Sequence, residues 1–261
     1  MNTFGIHHVT AFCGPASSNI KFYEGILGLR LVKRTVNFDD PESPHLYYGD
    51  GLGRPGTIVT FFASDDSKPG MLGRQQFGLV AFKIPAGARN FWQNRLESSG
   101  ISTLTIEREI GGETELALQF ADRDGLLLEL VESEISQELQ ESYQNDREQF
   151  DWDGSGIAPD CAIYSIHRVE MWLSDPVETE AFLTSAFGFK RTAQDEAEHR
   201  IRLSQEGLAS HIDLISTPDR HKGFWGPGTI HHVALATKSV EGRGYASLAS
   251  CNYAFHVPHT K

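Results

Sequence analysis

Cysteine is scarce in this chain. Only Cys13, Cys161 and Cys251 occur in 261 residues, far apart and odd in number. Such a set fits a reducing compartment without disulfides, so the cytoplasm is the expected location. There is no CxxC spacing, and hence no thiolate zinc site is indicated. No apolar run approaches the ~20 residues that a bilayer-spanning helix needs, so no membrane partner is expected. The opening residues are strand-like and read as lacking a signal peptide. Positive charge is also short: 23 Lys and Arg stand against 35 Asp and Glu, with net charge −12 and pI near 5.3. This balance argues against nucleic acid or anionic lipid as a partner and suits a small, uncharged or weakly charged substrate. A Gly-rich phosphate loop, a Ser-His-Asp order and a nucleophilic cysteine context are all missing.

Histidine is where the sequence becomes specific. Two near-identical strand openings, Ile6-His7-His8-Val9-Thr10 and Ile230-His231-His232-Val233-Ala234, lie at opposite ends of the chain. Imidazole is the commonest protein ligand for transition metals, so a doubled pair suggests one metal site built from two repeated units. Side chains alternate faces along a strand, which means both members of a pair cannot reach one ion. His8 shares its face with Ile6 and Thr10, and His232 with Ala234 and Ala236. Thr and Ala leave room for a bound molecule, whereas the Val and Leu neighbours of His7 and His231 suit a packed face. His8 and His232 are therefore the expected metal ligands. His7 and His231 are expected on the opposite face, as second-sphere or pocket candidates or as core histidines.

The repeat extends through the chain. The first unit reads as a strand at 6–12, a helix carrying Ile20, Phe22, Tyr23, Ile26 and Leu27 and ended by Gly28, then three strands. A second β-α-β-β-β unit begins at Phe77, a third at Tyr164, and a fourth at Gly228 with a helix expected near 240–250. Three units read as whole and the fourth as incomplete. The expected division is an N-terminal domain at 1–133, a polar linker at 134–160, and a C-terminal domain at 161–261. The fold class is α+β, with repeated modules forming U-shaped mixed sheets around a metal cavity. An open sheet edge in the fourth unit would invite pairing with a second copy, giving a homo-oligomer.

This pattern resembles the vicinal oxygen chelate superfamily of glyoxalases, bleomycin resistance proteins and extradiol dioxygenases. The segments Leu29–Pro41, His45–Asp50 and Pro55–Phe62, with Gly228–Ala234, resemble its branch of ring-cleaving hydroquinone dioxygenases. The resemblance implies Fe(II), with Mn(II) as the alternative, held by the second histidine of each pair (His8 and His232) and by a Glu on the last strand of the fourth unit. It implies a hydroquinone- or catechol-like aromatic substrate opened with O2. The chain ends at Lys261, before that Glu and before the Arg and Tyr that the branch carries late in the unit. Glu129 and Asp213 hold analogous places in the second and third units, which are expected to pair with each other, away from His8 and His232. Arg168 takes the ligand position of the third unit. Thr10, His45 and Tyr47 are further pocket candidates, and His221 with Trp225 could rim the cavity. Two other readings stay open: a non-catalytic aromatic- or drug-binding module, and a glyoxalase-like metal-dependent lyase or isomerase.

Overall fold

The computed structural model describes residues 3–37, 42–154 and 156–237, and the backbone alone of 244–249 and 255–256. The first unit comprises β1 (Thr3–Cys13), α1 (Ala16–Ile20) running into a π-helical turn at Lys21–Ile26, β2 (Arg30–Val36), β3 (Pro44–Gly49) and β4 (Ile58–Ala63). The second comprises β5 (Gln76–Pro85), α2 (Arg89–Ser98), β6 (Leu104–Ile110), β7 (Glu113–Ala121) and β8 (Leu127–Ser133). Helix α3 (Gln137–Gln149) follows, and the third unit is β9 (Ser165–Leu173), α4 (Val177–Phe187), β10 (Lys190–Asp195), β11 (Arg200–Ser204) and β12 (His211–Ser216). The fourth contributes β13 (Ile230–Thr237), β14 (Gly244–Ala249) and β15 (Phe255–His256). Among the described residues no helix is long and apolar enough to cross a membrane.

The units pair by sheet rather than by sequence order. Units one and four share a seven-stranded sheet, ordered β15-β14-β13-β1-β4-β3-β2. Units two and three share an eight-stranded sheet, ordered β10-β11-β12-β9-β5-β8-β7-β6. In each sheet the opening strands of two units meet antiparallel, β1 on β13 and β9 on β5. The helices and one sheet face enclose a core that includes Phe22, Tyr23, Phe61, Phe82, Trp92 and Phe187. Burying an apolar side chain of this size contributes ~1.5–3 kcal/mol. The helices of units one and three both end at a left-handed glycine, Gly28 at φ 67° and Gly188 at φ 77°.

Two expectations differ from the structure. Residues 240–250 were expected to be helical, yet 244–249 form β14, with 238–243 and 250 outside the described residues. The backbone groups on that edge of β13 need partners, and the ladder from Val233↔Leu248 to Ala236↔Tyr245 supplies them. That demand outweighs the weak helix preference of an Ala/Ser/Leu sequence. The polar stretch at 134–160 is not featureless: Ser136 caps α3 by accepting from the N–H of Leu139, and the helix buries Tyr143 and Arg147. The Arg147 guanidinium stacks over the Trp152 ring.

The entry to β13 is sterically tight. Gly228 has φ 88°, and a Cβ there would lie 2.1 Å from the carbonyl oxygen of Asp124. Gly228→Ala is expected to lower stability by ~1–3 kcal/mol through left-handed backbone strain and this clash. A urea unfolding midpoint equal to wild type would contradict it.

Candidate metal centre

The β1–β13 ladder sets Thr10 opposite His232 and His8 opposite Ala234, while β4 sets Thr60 beside Thr10. His8 and His232 thus converge on one face, their Nε2 atoms 3.3 Å apart. At an imidazole–metal distance of ~2.0–2.1 Å, two ligands of one ion at octahedral or tetrahedral angles stand roughly 2.8–3.4 Å apart. The two histidines therefore fit a single transition metal. Among the described residues, no third His, Cys, Asp or Glu joins them. Thr10 Oγ1 lies 3.1 Å from His232 Nε2. Burial, then the neighbouring His232, His7 and His45, hold the His8 pKa well below its ordinary value, so the ring is neutral and able to ligate.

Strict alternation fails for His7 and His231, and the expected opposite, packed face is corrected. Between Ile6↔Leu235 and His8↔Ala234 the register slips by one, which leaves His7 as the extra residue of a β-bulge. The slip between Thr10↔His232 and Ala11↔Ile230 makes His231 the extra residue of a second bulge. A bulge re-aims the side chain that it inserts. Nδ1 of His7 lies 3.0 Å from Nδ1 of His8, and Nδ1 of His231 lies 2.8 Å from Nδ1 of His232. Each first histidine therefore sits behind its neighbour, on the ring nitrogen facing away from the shared point.

The remaining pocket candidates extend outward along the sheet. Tyr47 OH lies 3.0 Å from His45 Nδ1, and His45 Nε2 lies 2.9 Å from Thr60 Oγ1. Thr60 Oγ1 is in turn 2.8 Å from Thr10 Oγ1. This chain of hydrogen bonds runs from half-buried Tyr47 to the histidine pair. Burial, then Lys33 and His231, push the His45 pKa down to about 4. Thr60 was not singled out from sequence, although its alternation with Ile58 and Phe62 offered the signal. Beside the histidines stand the rings of Phe12, Phe62 and Trp225, with His231 5.0 Å from Phe12, 5.5 Å from Phe62 and 5.0 Å from Trp225. Phe12 and Phe62 were also missed. His221 is exposed, and its carbonyl accepts the N–H of Arg74. The side chain of His256 and the whole of His259 lie outside the described residues.

The second sheet repeats the geometry with different chemistry. Aligning Val169 with Val9 puts Arg168 where His8 stands, Glu170 at Thr10, Asp213 at Thr60 and Arg202 at Tyr47. Buried Arg168 is ringed by carboxylates: Glu115 Oε1 at 2.7 Å, Glu170 Oε1 and Asp213 Oδ2 each at 3.3 Å, and Glu129 in a close ion pair. Glu129 also accepts from both terminal nitrogens of Arg108, and Asp213 from Arg200 and Arg202. Glu129 and Asp213 are thus committed to arginines in the other sheet and do not join His8 and His232. The sequence signal was charge at every second position, Arg168-x-Glu170 and Arg200-x-Arg202, inside strands whose intervening residues are apolar.

Comparison with known proteins fits this architecture. Residues 5–130 match the model of the Glyoxalase/Bleomycin resistance protein/Dioxygenase superfamily. The chain is 37% identical to "Putative ring-cleaving dioxygenase MhqE" of Bacillus subtilis (strain 168) over all of its own length and 80% of that protein. It is 27% identical to the chlorohydroquinone/hydroquinone 1,2-dioxygenase of Sphingobium indicum, over 94% of this chain and 77% of that one. The crystal structure of a "putative dioxygenase" from Bacillus subtilis superposes with TM-score 0.80 at 37% identity, covering 92% of this chain and 72% of that chain.

Proposed function

The chain belongs to the glyoxalase/bleomycin resistance protein/dioxygenase superfamily, and on that premise we propose that it is a ring-cleaving dioxygenase. Its substrate in this reading is a hydroquinone-like ring, and His8 and His232 hold the Fe(II) it uses. The observation that carries this reading is the approach of two Nε2 atoms to 3.3 Å behind two Nδ1···Nδ1 contacts. When His8 and His232 donate their Nδ1–H to His7 and His231, both Nε2 lone pairs face one point. A cation held at that point relieves their repulsion. Ligating histidines commonly donate their second nitrogen in this way, which fixes tautomer and ring angle.

Fe(II) held by His8 and His232 would supply Lewis-acid and redox chemistry toward a phenol and dioxygen. The chain's own residues do the rest. Phe12, Phe62, Trp225 and His231 offer aromatic faces and edges against which a substrate ring packs. The Thr10–Thr60–His45–Tyr47 chain holds a hydrogen-bonded path from the site to a half-buried hydroxyl. A phenolic proton released on binding can be accepted at Thr10 Oγ1 as the hydroxyls reorient.

The test is oxygen uptake by Fe(II)-loaded protein with hydroquinone, using ¹⁸O₂. One O2 consumed per ring opened, with both labelled atoms in the product, is expected. Tight hydroquinone binding with no oxygen uptake would instead indicate a sequestering protein, and turnover without O2 a lyase or isomerase.

Trp225, 46% exposed at the rim, gives a second check. Trp225→Ala is expected to raise KM for hydroquinone about two- to tenfold, as one aromatic packing contact of ~0.5–1.5 kcal/mol is lost. Bound iron should be unchanged. An unaltered KM would remove Trp225 from the pocket.

A further inference from the structure

We propose that His45 is a positioning residue whose tautomer sets the direction of proton movement at the candidate metal centre. With the ring proton on Nε2, the relay Tyr47–His45–Thr60–Thr10 donates toward the point between His8 and His232. With the proton on Nδ1, the same relay accepts from that point. This deepens the dioxygenase reading and rests on it for the identity of the reacting group.

Strand register builds the relay. Lys33 faces Tyr47 across β2 and β3, Tyr47 faces Thr60, Thr60 stands beside Thr10, and Thr10 faces His232. Each hydroxyl has one proton, so the direction can be counted from the inner end. A ligating His232 needs a bare Nε2. Thr10 Oγ1, 3.1 Å away, must then donate to it. Toward Thr60 Oγ1, 2.8 Å away, Thr10 is therefore the acceptor. Thr60 has now used its proton, so it accepts from His45 Nε2 at 2.9 Å. His45 is neutral, because burial, then Lys33 and His231, take its pKa down to about 4. Its Nδ1 is thus bare and accepts from Tyr47 OH, 3.0 Å away. Every proton of the relay points inward.

Packing makes the His45 ring the switch. Thr10 and Thr60 are fully buried, so solvent does not interrupt the relay between its ends. The His45 ring lies against those of Tyr47 and Phe62, with centroids 4.1 and 4.3 Å away, which resists its rotation. Reversal therefore needs the ring proton to change nitrogen. Tyr47 gives its proton to Nδ1 as Nε2 gives one to Thr60, Thr60 one to Thr10, and Thr10 one to an anionic oxygen of the opened ring. Tyr47, left as phenolate with Lys33 Nζ 5.5 Å from its ring centroid, regains a proton from solvent. The relay now points outward. The phenolic proton of the next substrate passes to Thr10, and the same four transfers run in reverse until Tyr47 gives one to solvent. One proton leaves as substrate binds and one returns as product forms, so the cycle balances. In the second sheet Arg200 stands at the place of His45, a fixed cation that has no such second state.

The tautomer is read by long-range ¹H–¹⁵N correlation on the intact, metal-free chain labelled with ¹⁵N in its histidine rings. His45 is identified by the resonances missing from His45→Gln. A protonated Nε2 and a bare Nδ1 are expected, and Tyr47→Phe should move Nδ1 while the proton stays on Nε2. His45→Gln keeps an N–H donor for Thr60 but cannot pass a proton between two nitrogens. Its bound iron should match wild type, while hydroquinone-dependent oxygen uptake falls ~100-fold, at the low end of what positioned proton transfer contributes. A structural role alone would be met by the glutamine. A ring proton on Nδ1 in the metal-free chain, or wild-type uptake by His45→Gln, would overturn the proposal. Because the tautomer is read without iron or turnover, a proton on Nδ1 fails this proposal alone, and absence of oxygen uptake by wild type fails the dioxygenase reading.

Discussion

His8→Ala and His232→Ala are each expected to lower hydroquinone-dependent oxygen uptake by more than about a hundredfold. Loss of an outer-sphere partner of a metal ligand already costs ~10–100-fold in affinity or activity, and loss of a ligand costs more. Either substitution leaves one imidazole where the structure presents two Nε2 atoms 3.3 Å apart. His7→Ala and His231→Ala are the graded controls. Each keeps both Nε2 donors but removes the Nδ1 contact behind one of them, so a ~10–100-fold loss in iron affinity is expected. Second-histidine variants that retain uptake, or first-histidine variants that lose more than second-histidine variants, would contradict the assignment. The comparison is informative because all four histidines belong to the same two strands, and a generic folding defect would not rank them this way.

Arg168→Met is expected to destabilise the fold by ~3–5 kcal/mol, the usual consequence of breaking a buried ion pair from one side. Arg168 is fully buried and touches four carboxylates, so its removal strands negative charge in the interior. The pH dependence distinguishes this from simple loss of packing. Burial would raise the Glu129 and Asp213 pKa values, but Arg168 and Arg108 for Glu129, and Arg202 and Arg168 for Asp213, bring both down to about 2. Groups with depressed folded-state pKa values contribute stability that is complete above their unfolded values, near 4.5 and 3.8. That stability is lost as pH falls toward 2. The gap between wild type and Arg168→Met should therefore be widest near neutrality and narrow between about pH 4 and pH 2. Urea midpoints with a constant gap across that window would show that the arginine acts through its volume and not its charge.

Much of this architecture was legible in the sequence because it repeats. The matched helix exits at Gly28 and Gly188 and the matched His-His-Val openings depend on local chemistry that survives in each unit. The pairing of units two and three, apart from His8 and His232, is what the family resemblance implies, and it matches the sheet order. What failed was local register. Alternation is a rule for regular strands, and the bulges at His7 and His231 break it where the site is built. No propensity in Ile-His-His-Val announces an extra residue, since the slip is a property of the pairing with the facing strand. The strand at 244–249 was equally invisible, because the demand that it meets comes from the edge of β13. Thr60, Phe12 and Phe62 needed the β1–β4 pairing before their faces could be assigned.

The two sheets also illustrate how one scaffold carries two chemistries. At matching positions the first holds His8, Thr10, Thr60 and Tyr47, and the second holds Arg168, Glu170, Asp213 and Arg202. In the second, the guanidinium of Arg168 is itself the central cation. A fixed internal charge there leaves His8 and His232 as the metal-binding pair of this reading.

Iron content after anaerobic Fe(II) loading and desalting tests the central claim most directly, measured in parallel on wild type, His8→Ala and His232→Ala. One iron per chain in wild type and essentially none in either variant is the expected result. Iron that stays bound in either variant as in wild type, or a wild-type chain that retains none, would contradict it.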